Sequence, residues 1–452
     1  MLMFLCHIGG SNRPIALMLL LCSPLRFSRL RPEKKPCADG ESQQHSPASM
    51  VPVSKVLDDD NLLIEILLRV SFPTTLVCAA LVCKRWLCHA SDPKFLSLFR
   101  KRHPPRLLGF YIYIGSSWLW LGAPLLFVPM QPQPPELAPF ICRVASHSFG
   151  ADNDRLCIMD CRNGSLLIRC RRGTILTHGV HRPLCPQRDI DVIPPLPRAQ
   201  YHGQKFFNTI LSKEEGGVLS YLYMLAEFFS KPKIFRVRVY MLQGGVWCMH
   251  ASATTQLPRL LTSLEVVLVD EKIYMADTFS DEIIVLDMTT SGFSTIPLPQ
   301  GVNFHCVRTI MSRAGDASGV YLTHIHVKEL QLCIWLHKGD NWLLVHTICL
   351  HQMWDNLRML DQTLEDEHIS FTCISNVGDN AEFVFLEMCG CIFYLDVTSK
   401  TLRKVHGVTV KDRPFNDVYP FMMIWPPKFP APKDDPARFA ILAFRWSVYS
   451  FC

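Results

Sequence analysis

Apolar and polar positions change rhythm along this chain. From Asn61 to Val70 the apolar residues Leu62, Leu63, Ile64, Ile66, Leu67, Leu68 and Val70 would cover nearly the whole circumference of a helix. Only Asn61, Glu65 and Arg69 interrupt them, and Glu65 and Arg69 lie four apart, where they can pair. Asp58, Asp59 and Asp60 precede the stretch and suit a helix N-terminus, as cap or as partner to its positive dipole end. Pro73 breaks the pattern and can sit in the first turn of a second helix, running from Thr74 to about Cys83. Lys84, Arg85 and Trp86 lead into a third, which stops by Pro93. A fourth amphipathic piece, Lys94 to Arg102, carries Phe95, Leu96, Leu98 and Phe99, and Pro104-Pro105 closes the block. About 45 residues in such short helices enclose little core, so their surplus apolar surface implies a permanent neighbour. On periodicity alone that neighbour is either the rest of the same chain or a partner.

From Leu107 onward the texture becomes short β-branched and aromatic runs separated by turn residues. Leu156 to Asp160 and Ser165 to Cys170 flank Asn163-Gly164, the favoured two-residue hairpin turn. Val266 to Val269 and Lys272 to Ala276 flank Asp270-Glu271 in the same way. A faint repeat follows: a strand, a polar or glycine turn, then a strand opening on a bulky residue. Anchored on Tyr240, Leu286, Leu336 and Leu395, its steps are about 46, 50 and 59 residues, close to the size of a propeller blade. Leu286-Asp-Met-Thr289 and Leu395-Asp-Val-Thr398 are its clearest pair. A blade cannot bury both faces alone, so blades must close into a ring. The expected fold is a short helical bundle at 56–105, then an all-β part at 106–452 forming a β-propeller of about six to eight blades. A β-sandwich-like domain is the alternative.

Composition narrows this little. With 49% hydrophobic and 19% charged residues, the chain of 452 residues is built for packed cores and has room for two or three domains. A net charge of +6 is too weak to argue for nucleic acid. Seven basic residues between Lys84 and Arg106 read as a solvated face or as complementarity to an acidic partner. The 19 cysteines are scattered through apolar stretches, as at Cys78, Cys83, Cys349 and Cys373, which points to a reducing compartment and thiols acting as small buried hydrophobes. Ile15 to Leu25 is an apolar run flanked by arginines, too short to span a bilayer. A secretory leader is one reading of it, and a poorly ordered extension over 1–55, with Arg31 to Lys55 as linker, is the one expected here.

Three ordered motifs carry a family resemblance: Asp60-Asn-Leu-Leu-Ile-Glu-Ile-Leu-Leu-Arg69, Pro73-Thr-Thr-Leu-Val77 and Ala80-Leu-Val-Cys-Lys-Arg-Trp86. At this spacing they resemble the F-box, most closely that of a large plant set in which Ser91-Asp-Pro-Lys-Phe95 and His103-Pro-Pro-Arg-Leu-Leu-Gly-Phe110 also recur. One departure is that Leu57 is followed by Asp58, where many F-boxes have proline. The later region is more weakly similar to the propeller of the same set, including Asp191-Val-Ile-Pro-Pro-Leu-Pro197. The resemblance implies a Skp-type adaptor as partner and, through it, a cullin ubiquitin ligase, with the propeller holding a target protein. By motif position, Leu62, Leu63, Ile66 and Leu67 would face the adaptor or the F-box core, and Pro73, Leu76, Leu81, Val82, Cys83 and Trp86 would complete that surface. It also implies cytoplasm or nucleus, with no nucleic-acid or membrane partner. A small-molecule or glycan sensor propeller coupled to an F-box is the alternative.

Catalytic signatures are missing from the sequence. It has no His-Glu-x-x-His, no Gly-x-Ser-x-Gly and no Gly-Lys-Ser/Thr loop. His324-x-His326 falls in an expected strand, where both rings could share a face, but two ligands do not make a closed zinc site. Cys389-Gly-Cys391 and Cys157-x-x-x-Cys161 lack zinc spacing and read as buried strand thiols. Glu365 to Glu367, with His368, reads as a charged solvent loop. The chain is therefore expected to be a non-catalytic subunit, without catalytic residue, cofactor or metal.

Overall fold

The structure is a computed structural model that describes residues 59–104, 106–113, 125–146, 155–172, 174–185, 190–197, 205–215, 218–229, 233–257, 261, 264–315, 319–360, 372–407, 418–427 and 429, and the backbone of 4–6 and 15–17. The chain divides into two units, Met1–Val56 and Leu57–Cys452. In the first, β1 (Phe4–Cys6) and β2 (Ile15–Leu17) pair antiparallel. Most of the apolar run at Ile15 to Leu25, the linker at Arg31 to Lys55, Pro105, and the loop at Glu365 to His368 lie outside the described residues.

The second unit opens with α1 (Asp60–Leu68), α2 (Pro73–Ala80), α3 (Lys84–Ser91) and α4 (Pro93–Arg102). Asp59 caps α1, its carboxylate accepting from the N–H groups of Asn61 at 2.8 Å and Leu62 at 3.2 Å. Asp92 caps α4 in the same way. Glu65 and Arg69 form the expected pair at 3.0 Å. The second helix ends at Ala80, three residues short of the expected Cys83, and Leu81 caps it.

Immediately afterwards come β3 (Leu107–Tyr113) and β4 (Leu125–Pro129), then α5 (Ala138–Ser146). Blade one is β5 (Arg155–Arg162), β6 (Ser165–Arg172), β7 (Ile175–His181) and β8 (Asp191–Ile193). Blade two is β9 (Lys205–Glu215), β10 (Val218–Phe229), β11 (Ile234–Gln243) and β12 (Val246–Gln256). Blade three is β13 (Leu264–Val269), β14 (Lys272–Asp277), β15 (Glu282–Asp287) and β16 (Gly292–Pro297). Blade four is β17 (Thr309–Arg313), β18 (Val320–His326), β19 (Gln331–Lys338) and β20 (Asn341–Cys349), followed by α6 (His351–Leu360). Blade five is β21 (Cys373–Val377), β22 (Phe383–Met388), β23 (Cys391–Asp396) and β24 (Thr401–Gly407).

The sixth blade is composite. Its inner strand β25 (Val418–Met422) pairs antiparallel with β3, which pairs with β4. Strand β3 therefore closes the ring from the other end of the fold. Gly109 is required there, since a Cβ would collide with the Phe127 ring and the Val128 carbonyl. The innermost strands β5, β9, β13, β17, β21 and β25 touch in that order, and β25 meets β5 again. The result is a six-bladed propeller rather than the alternative sandwich.

Local chemistry explains why the repeat was visible. In Leu286-Asp-Met-Thr289 the Asp287 carboxylate accepts from the N–H groups of Thr289 at 2.9 Å and Thr290 at 3.2 Å. In Leu395-Asp-Val-Thr398 Asp396 accepts from Ser399 N–H at 2.8 Å. Both aspartates tie off the turn into the outermost strand. Between blades the seams are apolar: Leu222, Met224, Val237 and Val239 of blade two meet Ile273, Met275 and Leu286 of blade three.

Candidate adaptor and target surfaces

The helical block buries Leu63, Leu67, Leu76, Ala79, Ala80, Leu87, Ala90, Phe95 and Phe99. Trp425, which follows β25, completes this core, and Phe429 packs against it. The Trp425 and Phe99 rings stack at 5.7 Å and 8°. Asn163 in the first hairpin turn holds Trp425 at both backbone positions: its side-chain amide donates to the Trp425 carbonyl and accepts from the Trp425 N–H, each at 2.6 Å. The same amide donates to Glu214 at 2.9 Å. Asp60 gathers Arg85 at 2.6 Å and His89 at 2.9 Å, and these bonds hold its carboxyl below the usual range.

The ten residues named from motif position divide into two groups. Leu63, Leu67, Pro73 and Leu76 are buried in the block. Leu62 and Ile66, one turn apart on α1, are 45% and 39% exposed. Cys83 is exposed, while Leu81, Val82 and Trp86 are half-buried, with Trp86 against the core. The structure adds Leu98, 52% exposed on α4, which falls off the Phe95–Phe99 face. That spacing was available in the sequence. Trp425 was not, because nothing local marks a lone tryptophan after a strand as part of a distant helical core.

Where the block sits fixes the two ends of the ring. Asn163 follows inner strand β5, Glu214 is near the end of β9, and Trp425 follows β25. Arg100 of α4 lies within electrostatic reach of Glu214 and of Glu382, which is beyond β21. The helical block thus packs at the end where the inner strands finish. The charges at that mouth neutralise one another. Asp379 pairs with Arg313 at 3.0 Å and with Arg162 at 3.9 Å, and Asp160 lies 3.7 Å from Arg162.

At the other end, where the inner strands begin, lie the β14–β15 turn and the 305–308 segment before β17. Phe279 is 72% exposed and has φ +66°. Its ring meets His305 edge-on at 5.5 Å. His324 and His326 do share a face, with ring centroids 4.6 Å apart, and the buried Thr309 hydroxyl lies 2.8 Å from His324 Nδ1. Burial, helped by the charges of His326, Arg308 and His305, pushes His324 down to about 4. Among the described residues no group of three His, Cys, Asp or Glu side chains could hold a metal, and no helix is long and apolar enough to cross a membrane. The cysteine expectation needs correction: Cys78, Cys83 and Cys349 are exposed, since they face outward from their helix, loop and outer strand. Cys391 is buried, but Cys389 occupies a hairpin turn at φ +50°.

A four-helix block of this sequence joined to a closed ring of blades defines an F-box protein with a propeller. The chain belongs to the family described as F-box protein AT5G49610-like, beta-propeller, whose model matches residues 157–429, and residues 59–98 match the F-box domain. Strands β3 and β4 of the sixth blade lie before the matched propeller segment. No curated protein matches the chain. Among solved structures it is similar to the uncharacterized protein lmo1340 of Listeria monocytogenes, at 12% identity and TM-score 0.29, covering 57% of this chain and 64% of that one. It is similar also to an oligogalacturonate lyase of Vibrio parahaemolyticus, at 10% identity and TM-score 0.32, covering 55% and 68%. A third is YCF48 of Cyanidioschyzon merolae, at 10% identity and TM-score 0.32, covering 67% and 86%. The chain spans less than two thirds of the Listeria protein, and at such scores these likenesses carry no functional argument.

Proposed function

We propose that the chain is the substrate-recognition subunit of a cullin-type ubiquitin ligase. Its helical block would hold a Skp-type adaptor, its propeller would hold a target protein, and neither would perform chemistry. The reading rests most on Leu62 and Ile66, two large apolar side chains exposed one turn apart on α1, with Leu98 likewise exposed on α4. F-box domains in general bind Skp-type adaptors. Leu81, Val82, Cys83 and Trp86 are the further adaptor contacts we assign, while Leu63, Leu67, Pro73 and Leu76 support that surface from beneath. A ubiquitin-loaded enzyme on the cullin would then meet target lysines at raised effective concentration. Such a partnership would put the protein in the cytoplasm or nucleus.

Co-elution with a Skp-type adaptor tests this. Leu62→Asp with Ile66→Asp should abolish co-elution while the thermal midpoint holds, because a carboxylate is costly only when the partner desolvates it. Leu63→Asp should instead unfold the block by burying an unpaired charge. Undiminished co-elution of the Leu62/Ile66 double variant would remove the assignment.

A further inference from the structure

The two mouths of the ring differ in how their charges are used. At the mouth facing the helical block, Arg162 and Arg313 are matched by Asp160 and Asp379. At the opposite mouth Arg308 is exposed, and its side chain makes no hydrogen bond or ion pair among the described residues. It lies within electrostatic reach of His305, His324 and Cys373. Beside it Val307 is 36% exposed, and its carbonyl accepts from the Ile374 N–H of blade five at 2.9 Å, so the segment is pinned across two blades.

Phe279 adds an outlier. A bulky residue at positive φ is disfavoured, and this one is 72% exposed. The turn is nevertheless held firmly: Phe279 N–H donates to the Phe304 carbonyl at 2.7 Å, and Phe304 N–H donates to the Ser280 carbonyl at 2.9 Å. A rigid turn thus presents an aromatic ring beside His305, which lies within electrostatic reach of Arg308, a guanidinium with no ion pair among the described residues. Strain held in place by its surroundings is a mark of a contact site.

We propose that the target docks on the face of the ring opposite the helical block, across Phe279, His305, Val307 and Arg308, by an acidic peptide segment that pairs a carboxylate with an apolar side chain. The carboxylate lies against the Arg308 guanidinium, and the apolar side chain packs on Phe279 and Val307. Burial and Arg308 hold the His305 ring below the usual imidazole range, as burial does for His324, so at neutral pH the formal positive charge of this cluster is that of Arg308. One guanidinium matches one carboxylate, whereas a phosphoryl dianion would keep a charge unmatched. The inner strands separate this face from the adaptor by about 17–20 Å, the length of a typical strand, so both partners can be bound together. This rests on the adaptor reading for its meaning, but not for its measurement.

The test uses the full chain by itself. It is passed over four immobilised pools of short peptides with randomised flanks and a fixed centre of Leu-Glu, Leu-Gln, Leu-Lys or Leu-phosphoserine. The Leu-Glu pool should retain the chain most strongly. Phe279→Ala and Arg308→Glu should each lower that retention about tenfold, as removal of an anchor does, with thermal midpoint and adaptor co-elution unchanged. Arg308→Glu should turn the preference towards Leu-Lys, and Lys400→Glu, at the other end of blade five, should alter nothing. Equal retention of the Glu, Gln and Lys pools, no retention of any pool, stronger retention of phosphoserine, or indifference to Arg308→Glu would each overturn the proposal. Adaptor co-elution, read on the same preparations, reports the adaptor reading separately.

Discussion

Glu265 lies on inner strand β13 and accepts a hydrogen bond from the Met311 N–H of β17 at 2.7 Å, so a carboxyl group joins two blades at the wall of the ring. Burial pushes that carboxyl up to about 8, and the Met311 bond opposes the shift only in part. The folded chain keeps a proton that the unfolded chain releases near its ordinary value of 4.5. Stability is therefore unaffected below that value and declines as pH rises towards 8. Glu265→Gln keeps the acceptor and cannot ionise, so it should match the parent near pH 4 and exceed it near pH 8 in urea denaturation. His324 works in the opposite sense. Its folded value of about 4 lies below the ordinary 6.5, so its contribution is intact above 6.5 and is lost as pH falls towards 4. The loss approaches about 1.4 kcal/mol per pH unit within that window, and His178, also pushed to about 4 by burial, adds to it. His324→Gln should flatten the acid limb of the stability profile, read as thermal midpoint against pH. Neither shift was legible in the sequence, which shows that His324 and His326 share a strand face but not that Thr309 and Arg308 surround them.

At the scale of elements, what could be read in advance is what is decided locally. The Asn163-Gly164 hairpin, the Asp59 cap and the Leu-Asp-x-Thr turns each depend on residues within about four positions. Helices α5 and α6 were not anticipated, because each lies in a connection next to a blade and carries no cap or periodic stretch as clear as that of α1. The division of α1 into buried and exposed apolar residues was equally hidden. Its sequence is hydrophobic nearly all round, and only tertiary contact decides that Leu63 and Leu67 turn inward while Leu62 and Ile66 do not. Trp425 makes the seam between the two kinds of architecture. Trp425→Ala should cost about 3–5 kcal/mol, because Phe99 loses its stacking partner and a cavity remains. Amide exchange in α1 to α4 should accelerate far more than in blades two to four, whose core residues lie in other clusters.

At the largest scale, the unit Leu57–Cys452 holds a ring fastened by its two flanks. Strand β25 pairs with β3, so the blade that closes the propeller cannot exist until residues more than three hundred positions apart have met. The same late segment delivers Trp425 to the helical core. The order of synthesis acquires a consequence from this. The motif that would recruit the adaptor leaves the ribosome early, yet its core stays unfinished until the sixth blade shuts. On the proposed function, a partly made chain would hold back its own adaptor site, and recruitment to a ligase would become a certificate of complete folding. Chains ending after Gly407 should show this directly. They should retain helical signal, fail to co-elute with a Skp-type adaptor, and recover co-elution when residues 408–452 are supplied as a separate peptide that can re-form the β25–β3 pair.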